Sequence, residues 1–294
     1  MPTKQELDIW RKAGKASSEV KKYAKTLIKK GASIVDIADK IEKEIYKYGK
    51  PSFPVNIAIN EKAAHYAPLY NDKTILADDI VKVDFGVSID GYPTDTAFTI
   101  DLSGKNASMM RATEKALQEA IKLATPGRKV CEIGRKVHET ITQQGFSPIR
   151  NLSGHEIQRY TLHAGLSIPN YDNGNETILE ENMIIAIEPF STTGTGIVKD
   201  GKESGDYSLI EKKPVRDANA RKILEFIEKE YSTLPFAGRW IYNKFGLRGM
   251  NSLRLLCEHG IVKNYNELIE ISKKPVIQFE NTVLVKDKPE ILTE

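Results

Sequence analysis

The chain has 294 residues, 40% of them hydrophobic, and a net charge of +3 at pH 7, so it can bury a substantial core as one large domain. It contains no apolar run of about 18 residues, which excludes a predicted membrane-spanning helix. The N-terminus also lacks the apolar segment of a signal peptide, so we expect a cytoplasmic protein without a membrane partner.

The first 50 residues hold 13 basic and 7 acidic side chains. A solvated helix face explains most local excesses of this kind, and contact with ribosomal RNA is the alternative use of such a face. Within this region, Ser33 predicts the start of a helix, with Asp36 three residues later. The residues expected on its inward face, before Gly49 ends the helix, are Ile34, Ile37, Ile41, Ile45 and Tyr48.

Residues 81–100 predict a β-hairpin, because apolar positions alternate around Asp90-Gly91, a strong signal for a two-residue turn. The pairs that this turn sets are Ile89 with Tyr92, Ser88 with Pro93, Gly86 with Asp95 and Asp84 with Ala97. Asp84 and Asp95 then project from one face, with Cβ atoms roughly 7 Å apart. Two buried carboxylates at this spacing repel each other unless a cation lies between them.

Two further helices are predicted after the hairpin, at about 107–125 before Pro126-Gly127 and at about 130–144 before Gly145. Helix pairs that alternate with antiparallel hairpins are typical of an α+β fold, in which the helices cover one side of a curved antiparallel sheet.

Three more metal-ligand candidates follow in apolar strands or at their edges. His155 lies in a glycine-punctuated segment that also contains His163, Glu188 ends the run MIIAIE, and Glu280 lies inside the predicted strand PVIQFENTVLV. Four carboxylates and one imidazole carry a charge of about −4, which suits two hard or borderline dications. Ligand type alone does not choose among Mn, Fe, Co and Zn.

Six segments of the chain resemble the type 2 methionine aminopeptidases of the short archaeal kind, which are pita-bread metallopeptidases of family M24. These segments are FPVNIAINEKAAHYAP, VDFGVSIDGYPTDTAFT, NLSGHEIQRYTLHAGLSIPN, AIEPFSTTGTG, TLPFAGRW and QFENTVLV. Glu188 and Glu280 lie 92 residues apart, which favours type 2 over the type 1 enzymes and prolidases, in which a short connection joins the corresponding glutamates. The resemblance implies one catalytic domain, residues 1–294, with a helical insert subdomain at about 195–270.

The resemblance also implies the roles of individual residues. Asp84 would bind one ion, Asp95 and Glu280 would bridge both ions, and His155 with Glu188 would complete the second site. Glu188 would also act as general base, and His65 and His163 would flank the scissile bond. The candidates for the wall of the implied methionine slot are Phe53, Leu162 and Tyr265, and the alternative is that each is a core residue. Asp206 or a neighbour stands where the family often has a histidine.

The implied function is the removal of initiator methionine from nascent polypeptides whose second residue is small, by a monomer that contacts ribosomes transiently and binds no DNA. Two alternatives remain open at this point. One is an X-Pro peptidase on the same fold, and the other is an RNA- or ribosome-associated module that has lost the chemistry. Modules of that kind typically lose metal ligands, whereas all five are present in this sequence.

Overall fold

The structure is a computed structural model that describes residues 2–294. Its helices are α1 (Lys4–Leu27), α2 (Ile34–Ile45), α3 (Ala107–Ile121), α4 (Val130–Thr142), α5 (Ala218–Tyr231) and α6 (Gly238–Glu258). In residues 2–294, no helix combines the length and the apolar character that crossing a bilayer requires.

Most strands are short, and many pair antiparallel with strands distant in the sequence. The first nine are β1 (Lys50–Pro51), β2 (Asn56–Ile59), β3 (Lys62–Ala64), β4 (Ile80–Phe85), β5 (Val87–Ile89), β6 (Tyr92–Pro93), β7 (Thr96–Asp101), β8 (Ser147–Pro148) and β9 (Ser153–Glu156). The other nine are β10 (Ser167–Pro169), β11 (Ile184–Ile187), β12 (Phe190–Thr192), β13 (Val198–Leu209), β14 (Phe236–Ala237), β15 (Val262–Glu270), β16 (Val276–Gln278), β17 (Asn281–Leu284) and β18 (Glu290–Ile291).

Two halves of similar construction form the body of the protein. In the first half, α1 and α2 pack on the sheet β2-β4-β7 through one apolar cluster. In the second half, α3 and α4 pack through another cluster on the sheet β10-β9-β11-β17-β18. Helices therefore cover one side of antiparallel sheets in both halves, which confirms the predicted α+β class.

The predicted hairpin register is confirmed at three of its four pairs. Asp90 and Gly91 both have positive φ, 53° and 81°, as a type I′ turn requires. The observed pairs are Ile89 with Tyr92, Ser88 with Pro93 and Asp84 with Ala97. Gly86 and Asp95 form no ladder pair, because the hairpin is interrupted between β4 and β5 and between β6 and β7.

A second interruption lies in the other half, and it corrects the prediction that Glu280 lies inside a continuous strand. The chain changes partner there, since β16 pairs with β12 whereas β17 pairs with β11. Ile187 is opposite Asn281, and the next observed pair is Phe190 with Gln278. Glu188 and Glu280 therefore both lie in gaps between strands, at the same level of the sheet.

The seam between the halves, where β7 lies beside β16 and β17, is held by hydrogen bonds. The Glu280 N–H donates to the Ala97 carbonyl at 3.0 Å, and the Thr96 hydroxyl donates to the Glu280 carbonyl at 2.9 Å. The Asp95 N–H donates to the Thr282 hydroxyl at 2.8 Å, and this hydroxyl donates to the Asp95 carbonyl at 2.7 Å. These bonds fix the backbone of Asp95 and Glu280 on opposite sides of the seam.

The Ser33 cap of α2 is present, since its hydroxyl accepts from the Asp36 N–H, and the four predicted isoleucines of this helix are buried. Placing Tyr48 on the same inward face was wrong. The helix ends at Ile45, and Tyr48 lies in the following turn with 44% of its surface exposed. A residue beyond the helix no longer follows the 3.6-residue period that the prediction used.

The segment predicted as a helical insert contains two helices and also long strands. Helices α5 and α6 share an apolar cluster with β13 and β15, and Gly246 breaks α6 with a φ of 62°. Strands β13 and β15 pair with each other and join β14 and β3 in one four-stranded sheet. The boundaries of a separate subdomain at 195–270 remain a proposal.

A buried ion pair joins α6 to the body of the protein. The Arg239 guanidinium, 1% exposed, donates to Glu42 and Asp39 of α2, each at 2.7 Å, and to the Pro68 carbonyl at 2.9 Å. Trp240 donates its indole N–H to the same Glu42 carboxylate at 2.7 Å. Because Glu42 is 4% exposed, its charge depends on these donors.

We expect Arg239→Met to lower the free energy of unfolding by about 3–5 kcal/mol, because it leaves the Glu42 carboxylate buried without its main counter-charge. Urea unfolding followed by circular dichroism measures this change. The matched control is Arg254→Met on the same helix, whose Glu258 pair lies at the surface and should contribute nothing measurable. Equal unfolding midpoints for the two variants would contradict the prediction.

Candidate metal centre

All ten residues predicted for the site line one cavity. The residues that line it are Phe53, Asn56, Ala64, His65, Asp84, Asp95, His155, Leu162, His163, Glu188, Asp206, Pro235, Tyr265 and Glu280. The cavity volume between them is about 60 Å³, too small for a groove that holds a long segment of polypeptide.

The interruptions of the strands explain why the acidic side chains meet in this cavity. Asp84 is the penultimate residue of β4, Asp95 directly precedes β7, Glu188 follows β11 and Glu280 directly precedes β17. Asp84 thus lies inside a strand, whereas Asp95, Glu188 and Glu280 lie in gaps, where residues need not follow the in-and-out alternation of a continuous strand. Carboxylates from two halves of the chain can therefore face the same space.

Asp95, His155 and Glu280 form the centre of the cluster. One possible ligand atom from each lies within 4.8 Å of the other two, and the His155 Nε2 lies 3.2 Å from the Asp95 Oδ2. Asp84 and Glu188 line the same cavity beside these three residues. The Asp84 Oδ2 accepts a long hydrogen bond, 3.4 Å, from the Gln278 amide.

Several carboxylate oxygens of the cluster are buried and have no hydrogen-bond partner. They are Asp84 Oδ1, Asp95 Oδ1 and both Oε1 and Oε2 of Glu280. A buried ionised carboxylate without a partner is strongly unfavourable, and a bound cation removes this penalty. Orphaned oxygens and one imidazole nitrogen around a common space therefore fit a divalent metal ion.

Two further histidines, His163 and His65, line the same cavity as this cluster. The rings of His163 and His155 have centroids 4.2 Å apart, and His163 is exposed at the mouth of the cavity. His65 follows β3 with a φ of 56°, a conformation that costs a non-glycine residue free energy and is common at functional sites. Its ring lies edge-on to Tyr265 with centroids 5.7 Å apart.

The apolar part of the cavity comes from both the body and the insert. Phe53 and Leu162 are 5% and 7% exposed, and Pro235 of the insert lies in the same wall. Tyr265 of β15 is half-buried, with its hydroxyl 3.1 Å from that of Ser208. An apolar side chain would be desolvated between these groups.

Three polar residues near the cluster were not predicted as site residues. Asn56 lies opposite Asp84 in the pairing of β2 with β4, and its signal was a lone amide within the apolar run FPVNIAI. Gln278 contacts Asp84 from β16. Asp206 is 6% exposed and lines the cavity. Burial raises the pKa of Asp206 to about 7.

Comparison of the sequence with family models matches residues 8–287 to metallopeptidase family M24. The chain belongs to this family. It is 44% identical over 287 residues to a methionine aminopeptidase of Thermococcus onnurineus, covering 96% of this chain and 97% of the relative. A methionine aminopeptidase of Methanocaldococcus jannaschii is 42% identical over 279 residues, or 94% of each chain.

Solved structures confirm the pita-bread fold of this M24 metallopeptidase. A methionine aminopeptidase from Thermotoga maritima superposes with a TM-score of 0.73 at 23% identity, covering 100% of this chain and 98% of that one. The prolidase from Pyrococcus furiosus superposes with a TM-score of 0.66 at 21% identity, covering 100% of this chain and 65% of the prolidase. A thermophilic Arx1 superposes with a TM-score of 0.88 at 17% identity, covering 99% of this chain and 91% of the Arx1 chain.

Membership of M24 implies a divalent metal. The shifted pKa values of the carboxyl groups and of the imidazole in the cluster are consistent with a metal site. Burial, with repulsion from neighbouring carboxylates, raises the pKa of Asp84, Glu188 and Glu280 well above the usual range. Burial also raises the pKa of Asp95 to about 7. It lowers the pKa of His155 to about 4, so the imidazole is neutral at pH 7 and has a free lone pair. A metal ion binds this M24 site in competition with protons on its carboxylates.

We expect a divalent metal to raise the melting temperature of this M24 peptidase more at pH 8 than at pH 5. A carboxyl group with a higher pKa in the folded than in the unfolded protein stabilises the fold. This contribution is fully present below the unfolded pKa of about 4. That contribution is lost as the pH rises through the folded pKa, which is about 7 for Asp95. Metal binding then relieves charge repulsion that is larger at pH 8.

Differential scanning fluorimetry of chelated protein, with and without added metal, measures this increment. At a metal concentration about 100 times the Kd of one site, we expect an increase in melting temperature of roughly 4 °C at pH 8. Glu280→Gln should lose most of the increment, whereas Glu203→Gln, at the exposed face of β13, should keep it. An increment that is equal at the two pH values would contradict the prediction.

Proposed function

We propose that this M24 metallopeptidase removes the N-terminal methionine from polypeptides whose second residue is small. The observation that carries the proposal is one cavity that joins a buried carboxylate and imidazole cluster to an apolar slot. The names of its relatives, which cover nearly the whole chain at more than 40% identity, support the same activity.

We further propose that the cluster would hold two divalent ions, and that the residues that would hold them are Asp84, Asp95, His155, Glu188 and Glu280. Four carboxylates carry a charge of about −4, which one dication leaves half compensated and two dications neutralise. Four orphaned oxygens on three of these carboxylates support this number. The ligands are compatible with Co, Mn, Fe or Zn.

The ions, when bound, supply Lewis acidity for hydrolysis of the peptide bond. Glu188 is our candidate for the general base, which accepts a proton from the attacking water and delivers it to the leaving amine. The neutral His163 ring would donate to the carbonyl oxygen as negative charge develops, an effect worth about 3 kcal/mol in comparable sites. His65, across the cavity, would contact the substrate amide and orient the leaving group.

Selection of methionine would follow from the slot formed by Phe53, Leu162 and Tyr265. An unbranched thioether fills an irregular apolar space well, and burying it contributes about 1.5–3 kcal/mol. A bulky second residue would clash beside the cluster, which explains a preference for small ones. Nascent chains in the cytoplasm would be the substrates of a monomeric enzyme, and the basic excess of residues 1–50 would serve a transient contact with ribosomes.

We expect the metal-loaded protein to cleave Met-Ala-Ser with a kcat/KM at least about 100-fold above that for Ala-Pro, because the slot gains its binding free energy from a long apolar side chain. Release of the first residue, followed by liquid chromatography, measures both rates. Met-Leu-Ser is the matched control and should be a poor substrate. A preference for Ala-Pro would establish an X-Pro peptidase instead.

We expect Glu188→Gln to keep the fold and to lose at least about 100-fold in kcat on Met-Ala-Ser, since an amide cannot accept the proton of water. The matched control is Glu181→Gln, an exposed residue seven positions earlier, which should retain full activity. Metal content and circular dichroism are recorded for each variant. Retained turnover in a folded, metal-loaded Glu188→Gln would refute the base role.

A further inference from the structure

The hydroxyl of Thr282 holds the backbone of Asp95 at two points. It accepts a hydrogen bond from the Asp95 N–H at 2.8 Å and donates one to the Asp95 carbonyl at 2.7 Å. Thr282 is also only two residues from Glu280 in the sequence. Asp95 and Glu280 both belong to the group of three residues whose ligand atoms converge. The position of Thr282 therefore affects two of the proposed metal ligands.

Thr282 is itself held by the segment Glu290–Thr293, which we call the β18 segment. The Thr282 N–H donates to the Thr293 hydroxyl at 3.0 Å, and the Leu292 N–H donates to the Thr282 carbonyl at 2.9 Å. The Thr293 hydroxyl in turn donates to the Asn281 Oδ1 at 3.1 Å. Thr282 and Thr293 are both 0% exposed, so solvent water does not reach these bonds. Asn281 and Thr282, the two residues after the bridging glutamate candidate, are thus both bonded to Thr293.

Helix α1 fixes the β18 segment from the other side. The Lys21 ammonium donates to the Thr293 carbonyl at 2.7 Å. The Arg11 guanidinium donates to both carboxylate oxygens of Glu290, at 2.7 and 2.9 Å. At Gly14 the helix lies so close that an added Cβ would be 2.2 Å from a backbone oxygen of the segment. The segment is therefore attached to α1 at three points along the helix.

The polar groups of this network satisfy one another. The Asn281 Oδ1 accepts from Lys21 at 3.0 Å as well as from Thr293. The hydroxyls of Thr282 and Thr293 each accept one hydrogen bond and donate one, which uses the single hydrogen of each hydroxyl. Loss of the Thr293 hydroxyl would leave the Thr282 N–H buried without an acceptor, which is unfavourable. The backbone of Thr282 would then regain a partner only by moving.

We propose that Thr293 is a positioning residue for Asp95 and Glu280, an inference that rests on the ligand set of the proposed function. Thr293 is not among the residues that line the cavity, and it acts on the site through Thr282. Metal–ligand distances must hold to within about 0.2 Å. Hydrogen-bond partners that orient metal ligands typically change metal affinity or activity by about 10–100-fold.

The test uses the full-length protein, chelated and dialysed, with Co²⁺ alone as the probe. Calorimetric titration measures the affinity, and the visible absorption of bound Co²⁺ reports its coordination geometry. Thr293→Val removes the hydroxyl at nearly constant volume, and we expect it to bind Co²⁺ about tenfold more weakly with an altered absorption spectrum. Thr293→Ser keeps the hydroxyl and should bind Co²⁺ within about twofold of the wild-type value.

The matched control, Leu292→Ala, changes packing without removing a hydrogen bond of the network. Leu292 is 7% exposed and packs in an apolar cluster with Leu7 and Trp10 of α1. Its truncation should lower the melting temperature at least as much as Thr293→Val does, because it creates a cavity. We expect its Co²⁺ affinity and absorption spectrum to be those of the wild-type protein. A purely structural role of the β18 segment would instead weaken Co²⁺ binding in both variants.

Unchanged Co²⁺ binding by Thr293→Val would overturn the proposal, and so would an equal loss in Thr293→Ser or in Leu292→Ala. If Thr293→Val does not fold, Lys21→Met replaces it in the same titration, since this variant removes the donor to the Thr293 carbonyl. It should also weaken Co²⁺ binding, and wild-type affinity there would contradict the positioning role. Failure of the proposed function looks different, because the wild-type protein would then bind Co²⁺ and leave Met-Ala-Ser intact.

Discussion

The site depends on one constraint, the interruption of the β-ladders at the seam between the two halves. Where β16 gives way to β17, and β11 to β12, the backbone changes its pairing partner. Glu188 and Glu280 lie in these gaps and line one cavity with Asp84 and Asp95. Four carboxylate oxygens of Asp84, Asp95 and Glu280 have no hydrogen-bond partner there. An uninterrupted sheet would satisfy its backbone and alternate its side chains, but it would give no such convergence.

This arrangement is unfavourable by itself, and the fold resists its relaxation. Repulsion among Asp84, Asp95, Glu188 and Glu280 would tend to push the halves apart. The hydrogen bonds of Thr96, Ala97 and Thr282 across the seam oppose that movement. Ligand geometry is therefore set by backbone contacts before any cation binds, which is the condition for a preorganised metal site.

The sequence predicted most accurately what local rules decide. The Asp90-Gly91 turn fixed the register that brings Asp84 opposite Ala97, and hydrophobic periodicity located α2, α3 and α4. The gap around Glu280 was not predictable in this way, because it follows from pairing with β11 and β12, about 90 residues earlier in the chain. Strands β13 and β15 were not predicted for the same reason. They pair with each other, and the helices α5 and α6 separate them in the sequence.

The insert contributes residues to the cavity. The residues proposed for the chemistry and those proposed to select the substrate therefore come from different parts of the chain. The metal-ligand candidates all come from the body of the protein, whereas Asp206, Pro235 and Tyr265 come from the segment between Glu188 and Glu280. Strand β3, which ends just before His65, pairs with β15 and so couples the two parts. The buried Arg239 fixes α6 on α2 at a second point. These two attachments join the wall that would contact the methionine side chain to the body of the protein, which carries the cluster that would act on the peptide bond.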